Sequence, residues 1–350
     1  MTPDRLAFTA SDRLLVLAPH PDDESLGTGG LIQAALAAGA ALRVIVATDG
    51  ENNPWPQRWI ERRWHIDEHA RLRWAQQRRM ECAAALSILG VDDPDVIRLG
   101  WPDLGLTDLL MHDAAAESLL ARHVNAFAPT HVALPVARDR HPDHSALHVL
   151  AERALAQSAW SNATRLNFLV HGVADSQHSE ALVLTDAQQL RKRNAVLAHA
   201  SQIRLSRSRL LRFAERPECF EPASSADHYE TAADAREWSI PLSPSRLRWV
   251  RHEVLLVLST AKATLRARLP FAGSSESTLR FGADSELVVK LAKDRIKARI
   301  RGNDTLVRGY LKLQRADRGL VIYDREGWKT LSAPRAGEIA AQVQAPYAAA

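Results

Sequence analysis

The chain has 350 residues, of which 46% are hydrophobic and 25% are charged, and its formal net charge is +4. These values are typical of a soluble globular protein with one large or two modest domains. The mild positive charge is too small to predict nucleic-acid binding, although an anionic or sugar-phosphate ligand would suit it equally well. Only two cysteines occur, Cys82 and Cys219, which excludes a disulfide framework and a zinc-finger pattern. No leader-like start and no apolar stretch near ~20 residues is present, so we expect a cytoplasmic protein without a membrane span.

Strand and helix signals alternate along the first half of the chain. The predicted strands lie at 14–18, 42–48, 96–99, 131–135 and 166–170, and the predicted helices at 31–38, 66–89, 114–127 and 142–156. The strands are short apolar runs whose two faces both need cover, which favours inner strands of a parallel sheet. The predicted fold class is therefore α/β, a Rossmann-like and mostly parallel sheet with helices on both faces.

Two segments interrupt this alternation. Gly27-Thr28-Gly29-Gly30 predicts a tight turn between the first strand and its helix. Residues 53–64 are rich in proline and tryptophan, which predicts an exposed loop that borders the functional site.

The pattern changes beyond about residue 225. Runs at 287–291, 296–300, 306–313 and 320–323 predict strands, with turns at 302–304 and 316–319. We therefore predict two regions, residues 1–225 and a smaller β-rich region at 226–350 whose role the sequence does not indicate. Basic residues outnumber acidic ones between 290 and 329, which is typical of a solvated face and less typical of an anion-binding surface.

Polar side chains are concentrated directly after two of the predicted strands. The first strand is followed by His20, Asp22 and Asp23, and the strand at 131–135 is followed by His141, Asp143 and His144. Ligands of doubly wound sheets bind at these carboxyl ends, in the crevice where the strand order reverses. Either cluster alone is compatible with a simple turn or helix cap. Together they predict one site built from both strand ends.

The residue types in this site suit a catalytic zinc ion, which takes three His or carboxylate ligands and keeps one position open. His20 and Asp23 are three residues apart in one turn, and His144 comes from the other cluster. We assign these three residues to Zn²⁺, although another divalent metal would fit the same ligands. His148, four residues after His144, is a less favoured alternative ligand.

The remaining residues suit proton transfer. Zinc lowers the pKa of its bound water to about 7, and Asp22 is the candidate general base that takes the proton of this water. His141 is the candidate electrophile and acid for an amide substrate, cationic if Asp143 or another carboxylate supports it.

These motifs resemble those of the LmbE/PIG-L family of zinc-dependent N-acetylglucosaminyl deacetylases. The resemblance covers roughly residues 12–222 and depends on Ala18–Glu24 and His141–His144, with support from Thr48–Glu51, the helix that carries Arg78, and Lys192–Gln202. It implies the roles already given to the two clusters, with Asp143 tuning the histidines. It also implies that Arg78 and Asp103 hold sugar hydroxyls.

The chain departs from the family at one position near the second motif. Some relatives carry a tyrosine two residues before the first histidine, where Asp139 stands here. We expect the neighbouring Arg140 to replace this tyrosine as a group that contacts the substrate. Trp55, Trp59 and Trp64 either stack on sugar faces or anchor their loop.

The predicted function is hydrolysis of a carbon–nitrogen amide bond. Zinc-bound water would remove the acetyl group from an N-acetylglucosamine-type amino sugar or glycoconjugate. One alternative is an amidase that acts on another acyl group or on a thiol conjugate. The other is a non-catalytic sugar- or nucleotide-binding protein of the same fold, with the glycine run against a phosphate, although the glycine spacing is not the dinucleotide fingerprint.

Overall fold

The computed structural model describes most of the chain. The described residues are 6–173, 179–215, 217–222, 230–231, 237–242, 251–260, 263–271, 274–281, 285–292, 294–302, 306–317 and 322–331. The chain divides into two compact units, Met1–Ala223 (unit 1) and Ser224–Ala350 (unit 2). The predicted boundary at 225/226 lies outside the described residues.

Unit 1 is built on a five-stranded parallel sheet with the strand order β3-β2-β1-β4-β5. Its strands are β1 (Arg13–Ala18), β2 (Ala41–Thr48), β3 (Val96–Trp101), β4 (His131–Pro135) and β5 (Thr164–Phe168). The order reverses between β1 and β4, which is the position at which doubly wound sheets bind ligands. A short antiparallel pair, β6 (Glu180–Leu182) and β7 (Glu218–Phe220), completes the strands described in this unit. The predicted α/β class is confirmed.

Helices cover both faces of this sheet. They are α1 (Asp23–Ala37), α2 (Pro54–Glu61), α3 (Glu68–Leu89), α4 (Leu106–His112), α5 (Ala114–Phe127), α6 (Pro142–Ala156), α7 (Asp186–Ala198) and α8 (Ala200–Glu215). On one face, Leu14 and Val16 of β1 pack with apolar residues of α1 and α3. The alternate residues Leu15 and Leu17 are buried as well, on the side of the sheet from which α5 and α6 contact β1 and β4. None of the described helices has the length and apolarity needed to traverse a bilayer.

The predicted turn at Gly27–Gly30 is wrong, because these residues lie inside α1. The glycines among them allow α1 to pack closely against neighbouring parts of unit 1. A Cβ on Gly27 would lie 2.4 Å from the Phe168 ring, and one on Gly30 would lie 2.4 Å from the Leu184 side chain. Any larger residue at either position would have to displace its neighbour.

The glycine positions also let a buried carboxylate reach α1. Glu218 accepts the backbone N–H groups of Gly30 and Leu31 at 2.5 and 2.9 Å. The same carboxylate pairs with Lys192 Nζ at 2.6 Å. The run of glycines therefore contacts a protein carboxylate and apolar side chains of unit 1, which removes the basis for a phosphate-binding loop.

The predicted loop at 53–64 contains a helix, α2. Asn53 caps it by accepting the Trp55 N–H at 3.3 Å, and Pro54 occupies its first turn. Proline suits this place because its fixed φ is helical and its missing N–H would have no partner there. The prediction of a loop from proline and tryptophan content alone was therefore wrong for residues 54–61, which form α2.

Unit 2 consists of antiparallel strands. They are β8 (Glu230–Thr231), β9 (Glu237–Pro241), β10 (His252–Thr260), β11 (Thr264–Phe271), β12 (Ser275–Phe281), β13 (Ser285–Leu291), β14 (Arg295–Arg301), β15 (Leu306–Arg315) and β16 (Lys329–Leu331). They form two sheets, in the orders β11-β10-β15-β16 and β12-β13-β14-β9-β8, around one apolar cluster that includes Trp238, Leu256 and Ile296. The predicted β-rich character is confirmed.

The predicted strands at 287–291, 296–300 and 306–313 lie within β13, β14 and β15. The predicted strand at 320–323 is wrong where it can be checked, since Ile322 and Tyr323 are not in a strand and 320–321 lie outside the described residues. Residues 303–304 and 318–319 of the two predicted turns also lie outside them.

Candidate active site

The two polar clusters meet at the carboxyl ends of β1 and β4. These strands are parallel neighbours, with Leu14 opposite His131 and Val16 opposite Ala133. The loop after β1 carries His20 and leads into α1, and the loop after β4 leads into α6. Parallel pairing therefore brings residues 20–24 and 139–144, which are more than a hundred positions apart, to one edge of the sheet.

Asp23 is the centre of the cluster. Its Oδ2 atom lies 3.1 Å from His20 Nδ1 and 3.1 Å from His144 Nε2, and it accepts the backbone N–H of His20 at 3.0 Å. Burial alone would raise the pKa of Asp23, but the two histidines hold it well below its usual value. Ligand atoms of a tetrahedral zinc site are separated by about 3.4 Å, so each of the two histidine nitrogens lies at about this separation from Asp23 Oδ2.

His144 has the surroundings of a metal ligand. It is fully buried, and neither ring nitrogen makes a hydrogen bond of acceptable angle within the described residues. Its Nδ1 lies 3.2 Å from Asp139 Oδ2. Burial lowers the pKa of His144, but the carboxylates of Asp23 and Asp139 outweigh it and raise that pKa to about 9. A site that favours a positive charge in this way suits a divalent cation as well.

Among the residues that the structure describes, three overlapping groups of side chains have donor atoms close enough to share an ion. They are His20 with His141 and His144, Asp23 with His144 and His171, and His20 with Asp103 and Asp143. None of these groups contains all three predicted ligands: His20 and His144 occur together in the first, Asp23 and His144 in the second, and His20 alone in the third. The donor set of imidazole and carboxylate groups is the kind that zinc takes in catalytic sites.

The second nitrogen of His20 faces two carboxylates. Its Nε2 lies 3.2 Å from both Asp103 Oδ1 and Asp143 Oδ2. Burial opposes protonation of His20, but Asp103, Asp143 and Asp23 together raise its pKa well above the usual value. Carboxylates that contact the outer nitrogen of a histidine fix its ring orientation for a metal on the other nitrogen.

Asp143 does not support His141 in the way expected from the sequence. Its carboxylate accepts the N–H groups of Leu104 and Leu106 at 2.7 and 3.1 Å and contacts His20. Its backbone N–H donates to His141 Nδ1 at 3.3 Å. Burial and the neighbouring His20 and His144 hold the pKa of His141 well below its usual value, so His141 is neutral in this arrangement.

Asp22 has an unusual backbone conformation. Its φ is 130°, a value that residues other than glycine rarely adopt. Its Oδ2 atom lies 3.4 Å from Arg78 Nη2. Burial raises the pKa of Asp22 to about 6, against the opposing effect of the Arg78 charge. A carboxyl group with a pKa near neutrality is suited to general-base chemistry.

Arg78 and Asp103 hold the loops around the site. Arg78 donates from Nη1 to Gly50 O at 3.0 Å and from Nη2 to Pro21 O at 2.5 Å. Asp103 Oδ2 accepts the Asn52 N–H at 2.8 Å. Both side chains are buried, whereas Arg140 is exposed, and the Arg140 N–H donates to His171 O at 2.9 Å.

Three polar residues that sequence reasoning left without a role lie in or beside the cluster. Asp139 is fully buried and accepts the N–H groups of His141, Val170 and His171 besides contacting His144. The His171 ring lies 4.8 Å from that of His144, measured between centroids. His199 pairs with Glu24 at 3.0 Å. His171 follows β5, so its position after a third parallel strand was a usable signal, whereas the His199 contact depends on folding over a long separation.

Comparison with known proteins supports the resemblance drawn from the motifs. Residues 15–155 match the family model described as PIG-L: GlcNAc-PI de-N-acetylase. A relative from Mycobacterium sp. (strain KMS), named 1D-myo-inositol 2-acetamido-2-deoxy-alpha-D-glucopyranoside deacetylase, is 34% identical over 169 residues, covering 42% of this chain and 51% of its own length. A relative of the same name from Kineococcus radiotolerans is 31% identical over 170 residues, covering 42% of this chain and 45% of its own length.

One solved structure similar to this chain is N,N'-diacetylchitobiose deacetylase from Pyrococcus horikoshii. It is 22% identical with a TM-score of 0.49, over 62% of this chain and 86% of that one. The chain spans about half the length of the curated relatives it matches. The match at 15–155 includes both strand-end clusters and α1, α3 and α6 around them. Residues 15–155 of the chain are therefore similar to the PIG-L family over the part that holds the candidate site.

Proposed function

We propose that unit 1 is a metal-dependent N-deacetylase. It hydrolyses the acetamido group of an N-acetylglucosamine-type amino sugar or glycoconjugate and releases acetate and a free amine. The observation that carries this proposal is the meeting of His20 and His144 on one oxygen of Asp23, with Asp22 next to it in the chain. The names of the family and of the matched relatives support the same reaction.

His20, Asp23 and His144 are the residues that would hold the metal, and Zn²⁺ fits their donors, although other divalent ions take the same set. When bound, such an ion supplies Lewis acidity that lowers the pKa of a water and polarises the acetamide carbonyl. Asp139 and Asp143 contact the outer nitrogens of His144 and His20, so they orient the two rings.

The proton transfers are assigned to Asp22 and His141. Asp22 accepts a proton from the attacking water, because its pKa near 6 leaves it mostly ionised at neutral pH while it remains basic enough to accept one. His141 stands at the N-terminus of α6 with its ring 4.6 Å from that of His20. It is neutral here, so it would act as the acid after taking up the proton that Asp22 removed from the water, and it would then pass this proton to the departing amine.

The substrate contacts are divided between direct and indirect ones. Arg78 and Asp103 are engaged with backbone groups of the loops after β1 and β2, so we assign them to shaping the sugar site. Arg140 is exposed next to His141 and is assigned to direct contact with the substrate.

Both cysteines are free thiols, which agrees with a reducing compartment such as the cytoplasm. We propose no nucleic-acid partner.

Substitution of Asp22 tests the proposal. Asparagine is the choice because it tolerates a positive φ better than other residues do. Asp22→Asn should lower acetate release from an N-acetylglucosamine conjugate by about 10²- to 10⁴-fold while the metal content stays unchanged. Asp186→Asn, an exposed carboxylate in α7, is the control and should retain activity. Unchanged activity of Asp22→Asn would contradict its role, and lost metal would make it a ligand.

A further inference from the structure

Unit 1 exposes an unusual set of large aromatic side chains beside α2. Trp55, Trp59 and Trp64 have 42%, 61% and 80% of their surface exposed. Together with Arg58, Arg63 and Arg204 they form what we call the aromatic–basic surface. Isolated exposed apolar residues are ordinary, but a cluster of large ones marks an interaction site.

The body of unit 1 holds α2 by its opposite side. Pro56 and Gln57 are buried, and Gln57 Nε2 donates to Ala70 O at 2.6 Å. Asn53 caps the start of the helix. This anchoring fixes the orientation of α2, so the tryptophans remain exposed although turning inward would remove apolar area from water.

The surface is strongly basic. Residues 54–64 contain three arginines and one glutamate, and α8, which packs against α2, contains four arginines and one glutamate. Glu61 lies 3.5 Å from Arg73. A backbone hydrogen bond and the charges of Arg63 and Arg73 are among the causes that lower the pKa of Asp67, just beyond this segment. The partner of this surface should therefore carry negative charge.

The arginines also lie on the tryptophan rings. The guanidinium carbon of Arg58 is 5.1 Å from the centroid of Trp55 and 5.5 Å from that of Trp64. Arg204 is 5.8 Å from the centroid of Trp59. Each of the three rings therefore has an arginine close to it, so positive charge and aromatic surface occur together on this part of unit 1.

We propose that the aromatic–basic surface docks unit 1 onto a bilayer that contains anionic lipids. Tryptophan rings are favoured at the level of the lipid headgroups, where one part of the ring is in apolar and the other in polar surroundings. Arginine binds the phosphate groups of the same lipids and keeps its charge there. Peripheral binding needs both components, an apolar contact and an electrostatic one.

The chain leads from the candidate active site into this surface. Asn52, three residues before Trp55, donates its backbone N–H to Asp103 Oδ2, and Asp103 contacts His20. The docking does not depend on the proposed hydrolysis and is measured without it.

Flotation of the full chain with vesicles tests the proposal. The wild-type protein should bind vesicles of phosphatidylglycerol and phosphatidylcholine more tightly than vesicles of phosphatidylcholine alone, and added salt should weaken the binding. Trp59→Ala combined with Trp64→Ala should lower the partition coefficient about tenfold or more. Arg63→Glu combined with Arg204→Glu should lower it by a similar factor and remove the preference for the anionic lipid.

Matched controls come from other exposed positions of unit 1. Trp160→Ala removes a tryptophan that is 37% exposed, and Arg122→Glu reverses an exposed charge on α5. Both should leave the partition coefficient unchanged. The proposal is wrong if the wild-type protein does not bind anionic vesicles, or if the two tryptophan substitutions change binding no more than Trp160→Ala does. It is also wrong if they raise KM for a soluble N-acetylglucosamine conjugate and leave vesicle binding unchanged, since the surface would then bind glycan.

Discussion

The two units of this chain distribute their polar residues in different ways. In unit 1, parallel strands end at one edge of the sheet, and the loops after β1 and β4 with the first turns of α1 and α6 place buried His20, Asp23, Asp139 and His144 at that edge. In unit 2, antiparallel strands keep polar residues on one face and apolar residues on the other. Along β14, for example, exposed and buried positions alternate. In a parallel sheet, the loops that follow the strands all lie at the same edge of the sheet. In an antiparallel sheet, these loops are divided between the two edges.

Buried charge by itself does not distinguish the units. Lys192 pairs with Glu218 in unit 1 and Lys312 pairs with Asp324 in unit 2, each at 2.6 Å. The units differ in whether several polar side chains come together at one point, since all three groups of potential metal ligands found among the described residues lie in unit 1. The comparison therefore predicts that substitutions at the β1/β4 edge change metal binding and activity, while substitutions of buried charges elsewhere change stability without changing metal content.

The largest effect is expected for His144→Ala. Its Nε2 faces Asp23 and has no hydrogen bond of its own within the described residues, so its loss should release the metal and lower activity by about 10³-fold or more. Elemental analysis of the purified variant measures the first effect and acetate release the second. His148→Ala is the control, because His148 Nδ1 contacts Pro135 O at 2.8 Å, so this variant should keep its metal. Full metal content in His144→Ala would overturn the assignment.

A large loss of stability is expected for Lys192→Met. The change leaves the buried carboxylate of Glu218 without its cationic partner, which typically costs about 3–5 kcal/mol of unfolding free energy. Denaturant unfolding of the full chain measures it. Lys312→Met makes the same change in unit 2 and should have a comparable cost, without effect on metal content. A loss of metal in the Lys312 variant would break the distinction between the units.

A smaller effect on metal binding is expected for Asp139→Asn. Asparagine keeps the size of the side chain but removes the charge that faces His144 Nδ1, and loss of such an outer partner typically weakens metal affinity 10- to 100-fold. Competition with a chelator of known affinity measures the change. An affinity equal to that of the wild-type protein would mean that Asp139 only holds the backbone N–H groups of His141, Val170 and His171.

The smallest effect is expected on the exposed face of unit 2. Arg299 is exposed on β14 and Ile300 beside it is buried. Arg299→Gln should change the unfolding free energy by about 0.5 kcal/mol or less, and Ile300→Ala should lower it by about 2–5 kcal/mol. Denaturant midpoints at constant slope give both values. A large effect of Arg299→Gln would indicate an interaction of that arginine beyond a solvated face.

The parts of unit 1 that the sequence predicted correctly depend on local patterns. The apolar runs of β1 and β4 are buried strands because both faces of the sheet are covered, and the polar residues after each run show where the sheet ends. Pro142 at the start of α6 was predicted for the same local reason, since proline suits the first helical position.

The errors arose where long-range packing decides the structure. Gly27, Gly29 and Gly30 are not turn residues but leave room for Phe168, Lys192, Leu184 and Glu218 beside α1, and none of these residues is near in sequence. Asp143 or another carboxylate was considered as the support of a cationic His141, whereas the Asp143 carboxylate contacts His20 and the loop at 104–106. Such partners depend on which loops the sheet brings together, which the spacing of a motif does not indicate.

Acetate release from an N-acetylglucosamine conjugate, followed with and without a chelator, tests the central claim most directly. The proposed roles of His20, Asp23 and His144 predict that the wild-type protein releases acetate and free amine in equal amounts, that metal removal abolishes this activity, and that Zn²⁺ or another divalent ion restores it. Release that continues after complete removal of the metal, or no release from any N-acetylated amino sugar by the metal-loaded protein, would contradict the account.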